Sequence, residues 1–411
     1  MENLDIHGMS SSDTDSEDEF YSFLDAACYI PEEPKKRRTR ERHDFFAMYD
    51  DSDFEARFRL TKEMSRELAG LLESSLDHST ARNMPVPVNI QVLLALRYYA
   101  TGSFETVVGD LEGIHQTTVG RIVKKVSHAI AALADRFIKM PSEEEWQETN
   151  TKFFRLGGIP RTIGVIDGIS TFYVIHFPRK YTGRIFNFEN HVSRRMVEFF
   201  FHIIFIKIKG KPSSFYGFIG CHIPIISPGG DNAEIFRNRK GWFSINTMAV
   251  CDADMKIRNI VARWPGSTHD QTVFSLSQLR AEFESGMYHH NIILGDSGYR
   301  CTPYLITPLL NPTTGPEKSF QKGFIRTRNI VERVFGAWKR RFPIIGMKIR
   351  SNVEDALVTI VATAVLHNVC INTRMPPAVQ HEEFVQPDEH FDAPQMNNQM
   401  TRNNIIANYF G

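Results

Sequence analysis

The sequence predicts an α/β protein in which a helical N-terminal half leads into a mixed sheet and both chain ends are disordered. Helical patterns fill residues 53–140, and the pattern that begins near residue 62 has Thr61 as its predicted N-cap. Short apolar strands, two of which end in an acid, alternate with helical patterns over residues 160–372. The chain has 411 residues, which is ample for two domains that each bury a substantial core.

The two ends of the chain are polar and are expected to be disordered. Residues 1–52 should form an arm that contains an acidic run at 10–19 and a basic cluster at 35–42. The basic cluster is typical of a nuclear import signal or a DNA-contacting arm, and an ordinary solvated charge run is the alternative. Residues 373–411 are rich in Pro, Asn and Gln and should form a disordered tail.

Charge and cysteine usage narrow the class of protein. The 48 basic and 48 acidic residues balance, so any nucleic-acid contact must come from local patches. The five cysteines form no CxxC motif, which favours a reducing compartment and argues against a zinc ribbon. There is no signal-peptide pattern, and we expect no apolar run of the roughly 18 residues that cross a bilayer. We therefore expect an intracellular protein without a membrane partner. The basic cluster at 35–42 favours the nucleus as its compartment, with the cytoplasm as the second.

The helical region contains a candidate helix-turn-helix. Residues 104–111 and 116–126 form two short helical patterns around a Gly-containing break, and the second opens with polar residues and continues with basic ones. A plain helical bundle is the alternative. The residues expected to face DNA are Gln116, Thr117, Thr118 and Arg121. The residues expected to pack inward are Val119, Ile122, Val123 and Val126.

Four acids stand at positions where the fold could bring them together. Asp167 and Asp296 each follow a short apolar strand, and Glu332 lies within an amphipathic helical pattern. Asp270 lies between a predicted hairpin and a helical pattern over 271–284. Locally it is either a helix N-terminal acid or a metal ligand, and the neighbouring residues favour neither.

The order of these elements is that of a ribonuclease-H-like α/β core, with two strand–Asp units, an intervening hairpin and a later helix that carries a Glu. Such acids hold hard divalent cations, Mg²⁺ or Mn²⁺, which activate water or a 3′-hydroxyl and stabilise the leaving oxygen of a phosphodiester. The basic residues Lys339, Arg340 and Arg341 follow Glu332 and would suit a phosphate backbone.

Four segments resemble the PIF/Harbinger superfamily of DDE transposases, including the domesticated Harbinger transposase-derived nucleases. These are GVIDG at 164–168, VARWPGSTHD at 261–270, GDSGY at 295–299 and VER at 331–333, and the resemblance covers roughly 55–372. The residues that it implies as a catalytic triad are Asp167, Asp296 and Glu332, and it adds Asp270 to them as a metal ligand. It also implies action on DNA in the nucleus and a Myb/SANT-like accessory protein. An oligomer is compatible with the sequence.

Residues 169–220 depart from that family pattern, which runs from the first Asp-Gly directly into a His-Ile-Pro-Ile segment. Here 52 residues separate Gly168 from Cys221, and their removal would restore an uninterrupted motif. We hypothesise that this segment is a translated intron. The competing idea is a genuine surface insertion, which a loop tolerates at small entropic cost. The aromatic and aliphatic residues at 199–206 argue against a solvated loop.

Two hypotheses for the function follow. The first is a metal-dependent endonuclease or transposase that hydrolyses phosphodiester bonds, with or without strand transfer. The alternative is a domesticated DNA-binding or regulatory protein that keeps the fold without cutting. The four acids favour the first hypothesis, because without a metal they would repel DNA. The segment 169–220, which begins two residues after Asp167, favours the second. A metabolic phosphohydrolase is disfavoured because the basic cluster and the candidate helix-turn-helix would then have no role.

Overall fold

The computed structural model describes residues 43–77, 85–109, 113–168, 222–375 and 399–411, and Asp44–Gly411 belong to one compact unit. The helices are α1 Phe45–Met48, α2 Asp51–Phe58, α3 Lys62–Leu76, α4 Val88–Thr101, α5 Glu105–Gly109, α6 Gln116–Ala131, α7 Ala134–Phe137, α8 Glu143–Gly157, α9 Asp270–Ser275, α10 Gln278–Glu284, α11 Gly315–Arg341, α12 Val353–Asn372 and α13 Met400–Tyr409. The strands are β1 Thr162–Gly168, β2 His222–Pro224, β3 Ser244–Cys251, β4 Ile257–Pro265, β5 Ile292–Leu294 and β6 Leu305–Ile306.

The helical half begins earlier in the chain than the expected boundary at residue 53. Phe45, Phe54 and Phe58 are fully buried, and the Phe54 and Phe58 rings pack with centroids 4.7 Å apart. These aromatic side chains tie α1 and α2 to the core, so the compact unit already starts at Asp44. Thr61 accepts a hydrogen bond from the Met64 backbone at 3.2 Å and caps α3 as predicted.

The sheet is mixed and carries helices on both faces. Its central strand, β1, pairs antiparallel with β3 and parallel with β5, and β3 and β4 form the predicted antiparallel hairpin. One apolar cluster packs the sheet against α8, α11 and α12, and a second packs it against α9 and α10. The predicted helix over 271–284 is divided into α9 and α10, because Ser277 caps a new helix by accepting from the Arg280 backbone at 3.2 Å.

Helix α12 is the core helix that joins the helical half to the sheet. By length and composition it could cross a membrane, contrary to the expectation from the sequence, yet 61% of its apolar window is buried inside the structure. It packs against α6 and β4. Its buried Asn368 donates to the carbonyls of Phe137 and Ile257 and accepts from the Ile257 backbone N–H. Such contacts are those of a helix inside a protein core.

The C-terminal residues form a helix where the sequence predicts a disordered tail. In α13, the Arg402 guanidinium is buried and donates to the carbonyls of Thr307 and Pro308 at 3.2 and 3.1 Å. The Phe410 ring meets the Phe320 ring edge-on at 5.6 Å. These tertiary contacts fold residues 399–411 back onto α11, whereas the rest of the expected tail, 376–398, lies outside the described residues.

Strands β1 and β2 lie one after the other along the same side of β3. Gly168, the last residue of β1, pairs with Met248, and His222, the first residue of β2, pairs with Asn246. One β3 residue lies between these two pairings. Removing residues 169–220 from the numbering leaves one residue between the two strands, so the register of β1 continues unbroken into β2. On β3, therefore, β1 and β2 are in register as one strand would be.

Candidate active site

Asp167 and Asp296 lie side by side at one edge of the sheet. In the parallel pair of β1 and β5, Val165 is opposite Leu294. Asp167 follows Val165 by two residues, and Asp296 follows Leu294 by two residues. Parallel strands end at the same edge, so both side chains project at the carboxyl ends of adjacent strands. Asp167 is buried and Asp296 is half-buried.

Glu332 reaches the same edge from α11, which crosses the sheet on the face that Asp167 shares. A capping box made by Thr314 and Glu317 fixes the start of α11. Further along, α11 crosses α8 so closely that a Cβ at Gly323 would lie 2.1 Å from the carbonyl oxygen of Gly157. Glycine at this crossing lets α11 pack close to α8 and β1, which places the half-buried Glu332 over the sheet.

Arg328 connects two of the predicted acids and was not predicted as a site residue. Its Nη1 donates to Asp167 Oδ2 at 3.1 Å, and its Nη2 donates to Glu332 Oε1. It lies one helical turn before Glu332, so the pair has the i, i+4 spacing of neighbours on a helix surface. That spacing was a signal in the sequence for the contact with Glu332. The contact with Asp167 depends on the tertiary fold.

Asp270 is held at the start of α9 by a residue of β3. Asn246 is buried, and its Nδ2 donates to Asp270 Oδ1 at 2.8 Å and to the Thr268 carbonyl at 2.7 Å. His222 pairs with Asn246 across β2 and β3. Burial lowers the pKa of His222 to about 4, although the charge of Asp270 opposes this shift, so the imidazole is neutral near pH 7. Asn246 and His222 thus belong to the surroundings of Asp270.

The environment of Asp296 disfavours the negative charge of its own carboxylate, because the side chain is half-buried near the charged Asp270. Burial raises the pKa of the Asp296 carboxyl above its ordinary value, and the nearby charge of Asp270 raises it further. The positive charge of Arg328 and a 3.0 Å hydrogen bond from the Gly298 N–H act in the opposite direction. A carboxylate pair of this kind is stabilised when a cation is added between its members.

The motif around Asp296 is explained by close packing. A Cβ at Gly295 would lie 2.9 Å from the Tyr299 ring and 3.1 Å from the side chains of Ile166 and Leu305. Only glycine therefore lets β5 pass between these side chains and deliver Asp296 to the edge of the sheet.

The donor set fits a hard divalent cation in its chemistry. Asp167, Asp270, Asp296 and Glu332 offer only carboxylate oxygens, the ligands that Mg²⁺ and Mn²⁺ prefer. Among the residues that the structure describes, no three or more His, Cys, Asp or Glu side chains are already gathered closely enough to hold a metal ion. Between Asp167 and Glu332 lies the Arg328 guanidinium, which contacts both of them.

Helix α6 presents the face that was predicted to contact DNA. Gln116, Thr117 and Arg121 are exposed and Thr118 is half-buried. The inward face is buried as predicted, with Val119, Ile122, Val123 and Val126 in the core. Beside Arg121, an open groove is lined by Ser75, Lys124, Lys125, His128 and Ala129. The surface of α6 is therefore basic along its exposed side.

The three basic residues after Glu332 do not share one environment. Lys339 is half-buried and Arg340 is exposed, which leaves both near the surface. Arg341 is instead 95% buried, and its Nη1 donates to the Arg59 carbonyl at 3.1 Å. At about 100° per residue, nine residues place Arg341 on the side of α11 opposite Glu332. The prediction that Arg341 contacts DNA is therefore corrected: this side chain fastens α11 to the helical half.

Comparison with known proteins supports the resemblance seen in the sequence. Residues 219–368 match the family model described as DDE superfamily endonuclease. The chain is 29% identical over 312 residues to "Putative nuclease HARBI1" of Bos taurus, covering 75% of this chain and 74% of that protein. It is 28% identical over 353 residues to the protein of the same name in Mus musculus, covering 84% and 86%.

A plant protein is similar over much of the same length. "Protein ALP1-like" of Arabidopsis thaliana is 22% identical over 343 residues, covering 79% of this chain and 71% of that protein. No solved structure matches the chain. The match to the endonuclease family model begins after Asp167, so the first acid lies outside it.

Proposed function

We propose that this chain, which contains a DDE superfamily endonuclease domain and is homologous to Harbinger transposase-derived nucleases, is a divalent-metal-dependent DNA endonuclease. The observation that carries the proposal is the convergence of acids from separate elements. Asp167 of β1 and Glu332 of α11 contact the same guanidinium, and Asp296 directly follows β5, the strand that pairs with β1. Asp167 is separated by 161 residues in sequence from Arg328, which it contacts, and by 165 from Glu332. Acids that were merely solvated surface residues would have no reason to converge in this way.

The side chains have distinct roles in this proposal. Asp167, Asp296 and Glu332 form the catalytic triad and, with Asp270, would hold the metal. A divalent cation bound there supplies an activated oxygen nucleophile and charge stabilisation for the leaving oxygen of a phosphodiester. Asn246 fixes the orientation of the Asp270 carboxylate through its amide N–H.

Two basic residues extend the site along α11. Lys339 lies seven residues after Glu332, about 20° from it around the helix, and Arg340 lies about 80° from it. Both positions are on the side of α11 that carries Glu332. We propose that they bind the DNA backbone beside the cleaved bond through charge contacts with phosphates.

The proposal includes the architecture around the site. A ribonuclease-H-like core is supported by the central β1, with antiparallel β3 on one side and parallel β5 on the other. A helix-turn-helix made of α5 and α6 is supported by the exposed polar residues at the start of α6, with Gln116, Thr117, Thr118 and Arg121 toward DNA. We also propose that the protein acts in the nucleus, for which the basic cluster at 35–42 would serve as the import signal. The resemblance to Harbinger transposases further suggests a Myb/SANT-like accessory protein as its partner.

Plasmid nicking tests the endonuclease. We expect the protein to convert supercoiled plasmid to open circles with Mg²⁺ or Mn²⁺ and not with EDTA. Asp296→Asn and Glu332→Gln should each lower the rate by about a hundredfold or more, because each removes a carboxylate that holds the metal, and the metal stabilises the developing charge.

Asp254→Asn is the matched control for the loss of a carboxylate. Asp254 lies on the β3–β4 turn and forms an ion pair with Lys152, so this substitution should leave nicking unchanged. Nicking that survives both Asp296→Asn and Glu332→Gln refutes the site. DNA binding without nicking in either metal would favour the second candidate function, a binding protein that keeps the fold.

A further inference from the structure

The Arg328 guanidinium occupies the space between two of the acids that the proposed function assigns to the metal. It donates to Asp167 through one nitrogen and to Glu332 through another, in the forked geometry that suits arginine. The three side chains are only 8–16% exposed, so water and salt screen these ion pairs weakly. Its charge also acts on Asp296.

We infer that Arg328 is a counter-cation built into the site, which neutralises the acids when no metal is bound and competes with the divalent metal for Asp167 and Glu332. This inference rests on the proposed function, because it takes these carboxylates to be metal ligands. Arg328 binds one oxygen of each carboxylate, Asp167 Oδ2 and Glu332 Oε1. A divalent metal held by the same two carboxylates must therefore bind beside the guanidinium or displace it from one of them.

Two physical effects should weaken metal binding in the native chain. The guanidinium and the metal compete for the negative charge of the same carboxylates, and the positive charge of Arg328 repels a divalent cation at short range. The same contacts stabilise the metal-free fold, because removing Arg328 takes the nearby positive charge away from the buried Asp167 and the half-buried Glu332. Arg328 is thus a positioning residue that sets how readily the metal binds.

The direct test measures Mn²⁺ affinity, by calorimetry or by the loss of the free-ion EPR signal, in the full-length chain and its variants. In Arg328→Gln the Kd for Mn²⁺ should fall by about tenfold or more, the scale expected when a unit charge a few ångströms from the metal is removed. Arg328→Lys should give an intermediate Kd, because a single ammonium keeps the charge but cannot form the fork.

Thermal unfolding supplies a second readout. Arg328→Gln should have a lower Tm than the native chain without metal and should gain more from added Mn²⁺, because ligand stabilisation follows affinity. Arg258→Gln is the matched control. Arg258 forms an ion pair of similar burial with Asp252 at the β3–β4 turn, so this variant should lose stability and keep the native Mn²⁺ affinity.

The outcomes separate this inference from the proposed function. If Asp296→Asn abolishes Mn²⁺ binding in the native chain but Arg328→Gln binds Mn²⁺ no more tightly than the native chain, the role of Arg328 is wrong and the metal site stands. If Asp296→Asn leaves Mn²⁺ binding unchanged, the metal site itself is wrong, and the inference about Arg328 is overturned with it.

Discussion

Along α11, neighbouring residues serve different ends because each advances about 100° around the helix axis. Arg328 and Glu332 lie on the face of α11 that is turned toward the edge of the sheet at Asp167. Arg341 lies on the opposite face, against the helical half. A run of adjacent basic residues therefore contains one member whose function is structural. Its guanidinium is buried with hydrogen-bond partners, whereas that of Arg340 is at the surface.

Substitution of these two arginines should separate stability from DNA binding. Arg341→Ala should lower the free energy of unfolding by about 1–3 kcal/mol, because it removes a buried guanidinium that donates to the Arg59 carbonyl. Arg340→Ala should leave the Tm unchanged and weaken DNA binding, with the slope of log K against log salt reduced by roughly one. Denaturant unfolding and fluorescence anisotropy measure the two effects, and each variant is the control for the other. A normal Tm for Arg341→Ala together with weakened DNA binding would contradict this assignment.

At the scale of elements, the pairing of β1 and β2 on β3 bears on residues 169–220. The two strands keep one register only if the 52 residues between Gly168 and Cys221 are treated as an addition. Register in a sheet with two buried faces is tightly specified, because a shift of one residue turns every side chain to the other face. The continuous register indicates that the segment is an addition within one strand, as both a translated intron and a genuine insertion would be.

Deletion of residues 169–220 should give a folded protein. We expect its Tm to be no lower than that of the full chain and its nicking to be at least as fast, because the strand that carries Asp167 becomes continuous. The matched control deletes one residue more, 169–221, and should be markedly less stable, since the register of β2 then slips by one. Equal stability of the two deletion variants would show that the register is not the reason. Sequencing of transcripts across the junction tests the intron directly, and uniform retention of the segment would exclude it.

Much of the element order follows from the sequence, and the local reasons are visible in the structure. The capped start of α3 at Thr61, the β3–β4 hairpin and the strand–Asp units were predicted from capping and periodicity. Contacts distant in sequence were not. Helix α13 depends on Arg402 reaching the carbonyls of Thr307 and Pro308, and no local pattern signals such a pairing. The contact between Arg328 and Asp167 could not be predicted from the sequence for the same reason. The contact between Arg328 and Glu332 could have been predicted, because the two residues have i, i+4 spacing on one helix.

At the scale of the whole molecule, a single compact unit carries both the acids of the sheet edge and the basic face of α6. The buried helix α12 packs against α6 and against β4, so the two halves share one core. The exposed side of α6 and the edge of the sheet at Asp167 are therefore parts of one folded unit. The balanced charge of the chain conceals this division into an acidic edge and a basic helix.

In the proposed endonuclease, the carboxylate of Asp296 binds the metal that is used in DNA cleavage. Plasmid nicking by Asp296→Cys in Mg²⁺ and in Mn²⁺, with Asp254→Cys as the control, measures this coordination. A thiolate is a poor ligand for Mg²⁺ and a better one for softer ions. We predict that Asp296→Cys loses nicking in Mg²⁺ and regains a measurable part of it in Mn²⁺, while Asp254→Cys behaves as the native chain in both. Equal relative activity of Asp296→Cys in the two metals, whether retained or lost, would contradict direct coordination by Asp296.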